Sequence, residues 1–125
     1  MQTFLEHCGG ARSERLEPGT VPLAEGQRTD RLYVLIEGEL DVSRGDVYIA
    51  SIKEPGSIFG EMSLFMDRPH PVTVTTRSAA QVHFFDNAQS FFRSNPEVAF
   101  LIARLLAQRC GDELPRRFEP AVRWA

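Results

Sequence analysis

Cysteine is scarce in this chain of 125 residues, which contains only Cys8 and Cys110, one near each end. Their spacing matches no metal-binding motif, and a single disulfide between them is the only pairing available. Reduced thiols are the simpler interpretation. Long apolar runs are also missing, so no stretch approaches the length of a membrane-spanning helix, and no signal peptide is visible. We therefore expect a cytoplasmic protein without a membrane partner.

The chain also lacks an excess of basic residues and a cluster of histidines. Its formal net charge of −3 argues against a nucleic-acid partner, which would need a basic surface. The histidines His7, His70 and His83 are scattered, whereas a metal-binding cupin gathers several on neighbouring strands. His83 stands between apolar neighbours in a predicted strand, a pattern typical of a structural residue. No nucleophile–base spacing stands out, so we predict a protein that is not an enzyme.

Short apolar segments separated by glycine and proline turns dominate the first two thirds of the chain. The run Leu32–Ile36 predicts a buried strand, and Gly38 after it indicates a bulge or bend. Many short strands with such turns predict a mainly β fold, an antiparallel β-roll of the double-stranded jelly-roll type, followed by C-terminal helices. The predicted core residues are Leu35, Leu40, Val42, Ile58, Phe59, Leu64, Val74 and Phe84.

The periodicity becomes helical in the last third of the chain. Asp86 is a suitable N-cap for a first helix, and Asn95 followed by Pro96 predicts the start of a second. Gly111 is expected to end that second helix. One domain over residues 1–125 is therefore predicted, with a β-roll at about 12–85, helices at about 86–111 and a tail at 112–125. The second helix carries one apolar stripe, made of Val98, Leu101, Ile102, Leu105 and Leu106.

The stretch from Phe59 to Thr73 combines a turn, a helical turn, a loop and a strand. Gly60 allows a sharp change of direction, and Glu61 opens the helical turn, where its charge also suits the helix dipole. After the loop, alternation resumes at Val72. Together these pieces predict a cradle large enough for a phosphate and a sugar.

This stretch resembles the phosphate-binding cassette of cyclic nucleotide-binding domains. The resemblance rests on Phe59-Gly60-Glu61 and on Thr73-Val74, and it implies that Gly60 and Glu61 hold the ribose 2′-OH of cAMP or cGMP. Two positions depart from the family pattern, because His70 stands where the family has a phosphate-binding arginine and Pro71 where it has a backbone N–H donor. The ligand contacts implied by the resemblance are Phe59, Gly60, Glu61, Met62, Ser63, His70, Pro71, Val72 and Thr73.

The resemblance implies a regulatory or sensor module, similar to the sensor domain of cAMP-receptor-like regulators but without room for a DNA-binding unit after Gly111. Its degenerate cassette predicts weak binding that strengthens below about pH 6.5, where an ordinary histidine becomes cationic. Arg68 is a candidate substitute for the missing cation. The alternative is a ligand-free interaction or dimerisation domain on the same fold, and a cupin-like metal enzyme is the least favoured hypothesis.

The apolar stripe of the second helix generates a prediction about assembly. The resemblance implies that this helix serves dimerisation, and Phe100 lies off the stripe, where it is available to a second copy of the chain. We expect a homodimer with twice the chain mass of 14.1 kDa. Light scattering at micromolar concentration measures this mass, and a clean monomer would contradict the prediction.

Overall fold

Within residues 12–118, the fold combines seven strands with three helices. The computed structural model describes these residues, with side chains as far as residue 108. The strands are β1 (Arg12–Leu16), β2 (Arg31–Glu37), β3 (Leu40–Arg44), β4 (Val47–Ile52), β5 (Ile58–Phe59), β6 (Thr73–Thr76) and β7 (Ala80–Asp86). The helices are α1 (Glu61–Met66), α2 (Ala88–Ser94) and α3 (Pro96–Phe118). His7 and Cys8 lie outside the described residues, as does the side chain of Cys110.

The strands form two sheets in which every pair is antiparallel. The first sheet has the order β1-β7-β2-β5, and the second has the order β4-β3-β6. An isolated β-bridge between Leu23 and Val74 joins the segment that precedes β2 to the second sheet. The predicted fold class, an antiparallel roll followed by helices, is confirmed.

Gly38 produces the bend that the sequence indicates at the end of β2. The register between β2 and β7 shifts between Leu35 and Glu37. Gly38 follows with a φ of 114°, and a Cβ atom there would lie 2.7 Å from the carbonyl oxygen of Ala79. Only glycine accommodates both the positive φ and the close approach. The bend turns the chain from the first sheet into β3 of the second.

The core between the sheets contains most of the predicted residues. Leu35 and Leu40 are fully buried there, with Phe59, Val74 and Phe84 around them. Val42 is half-buried and packs against the same cluster. The predicted core residues Ile58 and Leu64 are also buried, but they belong to a second cluster on the outer face of the first sheet.

The helices cover that outer face. Ile102 is 1% exposed and belongs to the cluster that contains Leu32 and Val34 of β2. The rest of the apolar stripe packs against this cluster and is partly buried; its members are Val98, Leu101, Leu105 and Leu106. The stripe therefore packs on the roll of its own chain.

Asp86 does not cap the first of the C-terminal helices, contrary to the prediction. It ends β7, where its carboxylate accepts a hydrogen bond of 2.6 Å from Arg31 Nε. Helix α2 begins instead at Ala88. Asp30 supplies the acceptors for its first turn, because its carbonyl bonds the Ala88 N–H and its carboxylate bonds the Gln89 N–H. The cap comes from another part of the chain, since the nearer carboxylate is engaged in an ion pair.

The last helix does not end at Gly111, and the predicted tail at 112–125 is helical as far as Phe118. A glycine inside a helix costs only about 1 kcal/mol relative to alanine, so it does not terminate a helix by itself. None of the described helices is both long and apolar enough to span a membrane.

Burial of Ile102 gives a test of how α3 is held. We expect Ile102→Ala to lower the free energy of unfolding by about 2–5 kcal/mol, because it removes buried methyl groups and leaves a cavity. Arg104, which is exposed on the same helix, provides the control. Arg104→Ala should change stability by less than about 0.5 kcal/mol. Urea unfolding followed by circular dichroism measures both, and equal losses would show that α3 does not pack as described.

Candidate functional site

The cassette opens with a sharp turn at Gly60, between β5 and α1. Gly60 has a φ of 96°, and a Cβ atom there would lie 2.9 Å from the carbonyl oxygen of Arg31. The turn therefore requires glycine both for its conformation and for its close packing. Phe59 before it pairs with Tyr33 of β2, and their rings stack with centroids 4.9 Å apart. The first sheet thus fixes where the cassette begins.

His70 is turned inward and is only 3% exposed. Its Nε2 lies 2.9 Å from Thr29 Oγ1, and the two atoms share a hydrogen bond. Its backbone N–H donates to the carbonyl of Gln27, and its own carbonyl accepts from the N–H of Gly26. Both the ring and the backbone of His70 therefore anchor the cassette loop to the segment before β2.

Burial lowers the pKa of His70 below the ordinary value of 6.5, although the negative charge of Glu61 opposes this shift. Removing water from around the ring disfavours its charged form more than the carboxylate favours it. His70 is consequently neutral at pH 7. The sequence led us to expect that His70 becomes cationic near pH 6.5. This expectation is wrong, because protonation of the buried ring requires a lower pH.

The cassette lines a cavity of about 510 Å³, together with residues of β3, β4 and β6. Its wall is mainly apolar, and the charged residues in it are Lys53, Glu54 and Glu61. With His70 neutral, one positive charge faces two negative ones. Of the predicted ligand contacts, the cavity is lined by Phe59, Gly60, Glu61, Met62, His70, Pro71 and Val72.

Three other candidates lie away from the cavity wall. Ser63 is buried, and its Oγ accepts a hydrogen bond of 3.2 Å from the Thr29 N–H. Thr73 Oγ1 accepts a hydrogen bond of 3.1 Å from the Glu25 N–H, which ties the start of β6 to the loop before β2. Arg68, the proposed substitute cation, is exposed. These residues support or flank the cassette and are not among those that line the cavity.

The structure brings two cations to the cassette that the sequence did not single out. Lys53 follows β4 and lines the cavity. Arg44 ends β3, and its Nε donates a hydrogen bond of 3.2 Å to the carbonyl of Pro71. Strand β3 pairs with β6, which begins two residues after Pro71. This pairing is long-range, so only the sheet order could have indicated the contact.

The cassette and the roll around it match a known family. Residues 13–93 match the model of the cyclic nucleotide-binding domain, from β1 through most of α2. The chain belongs to the cyclic nucleotide-binding domain family. The match includes the whole segment from Phe59 to Thr73, so the resemblance noted in the sequence is confirmed.

Relatives of this cyclic nucleotide-binding domain are regulators. A CRP-like cAMP-activated global transcriptional regulator of Mycobacterium tuberculosis is 30% identical over 110 residues, which cover 79% of this chain and 49% of the regulator. A cAMP-dependent protein kinase regulatory subunit of Yarrowia lipolytica is 34% identical over 71 residues, covering 56% of this chain and 19% of the subunit. This domain thus spans at most about half the length of these two relatives.

A solved structure agrees with these relatives. The N-terminal domain of a transcriptional regulator from Streptomyces coelicolor A3(2) superposes with a TM-score of 0.66 and 26% identity. The superposition covers 99% of this chain and 89% of that one. The similarity therefore extends beyond the roll into the C-terminal helices.

Among the described residues, no group of three or more histidine, cysteine, aspartate or glutamate side chains is arranged to hold a metal ion.

The lowered pKa of His70 predicts a pH-dependent stability. As the pH falls below about 6.5, the unfolded chain takes up a proton at this histidine before the folded domain does. The contribution of His70 to the free energy of unfolding should therefore be fully present above about pH 6.5 and decrease as the pH falls towards the pKa of the folded state. His70→Gln should remove this part of the decrease, whereas His83→Gln should keep it. Urea unfolding at several pH values measures the slopes, and an unchanged slope in His70→Gln would contradict the prediction.

Proposed function

We propose that this domain is a non-enzymatic regulatory module that binds cAMP or cGMP weakly. The observation that carries the proposal is the state of His70. The family resemblance places a phosphate-binding arginine at this position, but His70 is buried, bonded to Thr29 Oγ1 and has a lowered pKa. A neutral ring occupied by an internal partner offers little to a phosphate anion.

The sugar side of the cavity fits a cyclic nucleotide better than the phosphate side does. The Gly60 turn is formed and Glu61 lines the cavity, as the resemblance implies for a ribose contact. At the phosphate side, Pro71 has no backbone N–H to donate. Hydrogen bonds to charged groups contribute about 1.5–3 kcal/mol each, so losing two costs roughly 3–6 kcal/mol. That corresponds to about two to four powers of ten in affinity.

The names of the relatives support the regulatory part of the proposal. One is a cAMP-activated transcriptional regulator, and the other is a regulatory subunit of a cAMP-dependent kinase. Both names describe regulatory proteins of cAMP-dependent processes. We infer the same role here, in the cytoplasm, without a nucleic-acid or membrane partner of this domain itself.

The route of the signal would run from α1 to the C-terminal helices. Leu64 lies in the last turn of α1, where carbonyl groups have no partner inside the helix. Its carbonyl accepts a hydrogen bond of 3.2 Å from Gln89 Nε2 of α2. The rings of Phe65 and Phe92 also pack together, with centroids 5.7 Å apart. A change in α1 is therefore coupled directly to α2.

A ligand-free interaction or dimerisation domain is the second candidate. The observation that favours it is Phe100, which projects from α3 with 67% of its surface exposed. A side chain of this size is available to a partner protein or to a second copy of the chain. Under this alternative, the cavity would remain without a nucleotide at any accessible concentration.

Calorimetry with cAMP and cGMP tests the binding proposal. We expect weak or undetectable binding by the unmodified domain at neutral pH, and a higher affinity in the double variant His70→Arg with Pro71→Ala, which restores the cation and the N–H donor. Arg68→Ala serves as a control and should leave affinity unchanged, since the exposed Arg68 neither lines the cavity nor donates a described hydrogen bond to a residue that does. A micromolar or tighter dissociation constant for the unmodified domain would contradict weak binding. Failure of the double variant to bind would favour the ligand-free alternative.

A further inference from the structure

Arg44 is exposed at the end of β3, where it lies next to the cassette but is not one of the residues that line the cavity. Side chains alternate along β3, where Leu40 is buried in the core and Val42 lines the cavity. Arg44 is the next residue on that face. The pairing of β3 with β6 ends at Ser43 and Thr73, so Arg44 lies one residue beyond this pair on β3, and Val72, which lines the cavity, lies one residue before Thr73. The side chain therefore begins next to the cassette.

A hydrogen bond confirms this placement. The Nε of Arg44 donates to the carbonyl of Pro71 at 3.2 Å, and Pro71 itself lines the cavity. A guanidinium group has five N–H donors, and this bond uses one of them. The planar group is thus held by its Nε end beside the cassette, and its two terminal nitrogens remain to bind an anion.

Arg44 is not among the arginines that form ion pairs in the described part of the chain. Five arginines of the described part of the chain form ion pairs; they are Arg12, Arg15, Arg28, Arg31 and Arg77. Within that part, Arg44 has no carboxylate within ion-pair distance. Glu25, in the segment before β2, places a carboxylate close to Arg44, but its Oε1 accepts hydrogen bonds from the Gly45 N–H and from Thr73 Oγ1. Arg44 is therefore a cation without an ion-pair partner among the described residues, and it lies beside a cavity whose wall carries more negative than positive charge.

We propose that Arg44 is the anion-pairing residue of this cavity and binds the phosphate of a nucleotide in place of the arginine that position 70 lacks. This proposal rests on the proposed function, because it names the residue that binds the phosphate of the weakly held nucleotide. Lys53 is the other cation at the cavity, but it follows the end of β4 that pairs with Leu40, away from Pro71. Arg44 combines a charge outside the described ion pairs with a side-chain hydrogen bond to Pro71, which lines the cavity.

The test compares Arg44→Ala with Arg77→Ala, which removes the same charge from the other end of the β3–β6 pair, where Arg77 is bound to Asp41. Nucleotide affinity is measured by titration with cAMP, and adenosine serves as the probe without a phosphate. We expect Arg44→Ala to weaken cAMP binding about tenfold and Arg77→Ala to leave it unchanged. Adenosine binding should be the same in both variants.

Several results would overturn the proposal. Equal cAMP affinities in Arg44→Ala and Arg77→Ala would overturn it. A loss of adenosine binding in Arg44→Ala as large as its loss of cAMP binding would also overturn it, because Arg44 would then act on the shape of the cavity. A loss confined to Lys53→Ala would assign the role to Lys53. Tight cAMP binding by the unmodified domain would contradict only its proposed weakness, since the comparison of the two arginine variants still decides the role of Arg44.

A second measurement keeps the proposal testable if the affinities are too low for calorimetry. The side-chain Nε–H signal of Arg44 can be followed by nitrogen-edited NMR during titration to millimolar ligand. We expect it to move with cAMP and to stay in place with adenosine. A signal that does not move with cAMP, or that moves equally with both ligands, would overturn the proposal.

Discussion

Burial of β2 on both of its faces holds the two halves of this domain together. Leu32 and Val34 face the helices, whereas Tyr33 and Leu35 face the interior of the roll, and all four are buried. Burying an aliphatic or aromatic side chain of this size contributes about 1.5–3 kcal/mol. The same strand pairs with β5, so it also sets the position of Phe59 and of the cassette that follows. Stability and site geometry therefore depend on one strand.

The roll could be predicted from the sequence because its signals are local. A continuous apolar run predicted β2, and glycine and proline turns separated the other strands. The helix ends could not be predicted in the same way, because tertiary contacts decide them. Asp86 would suit an N-cap, but Arg31, which is distant in the chain, engages its carboxylate. Gly111 would suit a helix end, but the chain continues as helix through it.

The site was predictable as a set of positions and not as a chemical state. The cassette pattern identified His70 and Pro71 as departures, since residue identity alone shows the missing charge and the missing N–H. The hydrogen bond to the ring of His70 comes from Thr29, which lies 41 positions earlier in the chain. The position of Arg44 beside Pro71 depends on the order of strands in the second sheet. Both contacts are products of long-range pairing, which periodicity in one sequence does not reveal.

The hydrogen bond from Gln89 to the carbonyl of Leu64 makes the coupling between the cavity and the helices reciprocal. A nucleotide that displaces α1 must either break this bond or carry α2 with it. Thermodynamic linkage makes this effect reciprocal. If the nucleotide raises the affinity of a protein for α2 by some factor, binding of that protein to α2 raises the affinity of the cavity for the nucleotide by the same factor. A protein that bound α2 would therefore change the nucleotide affinity from the value measured for this chain alone.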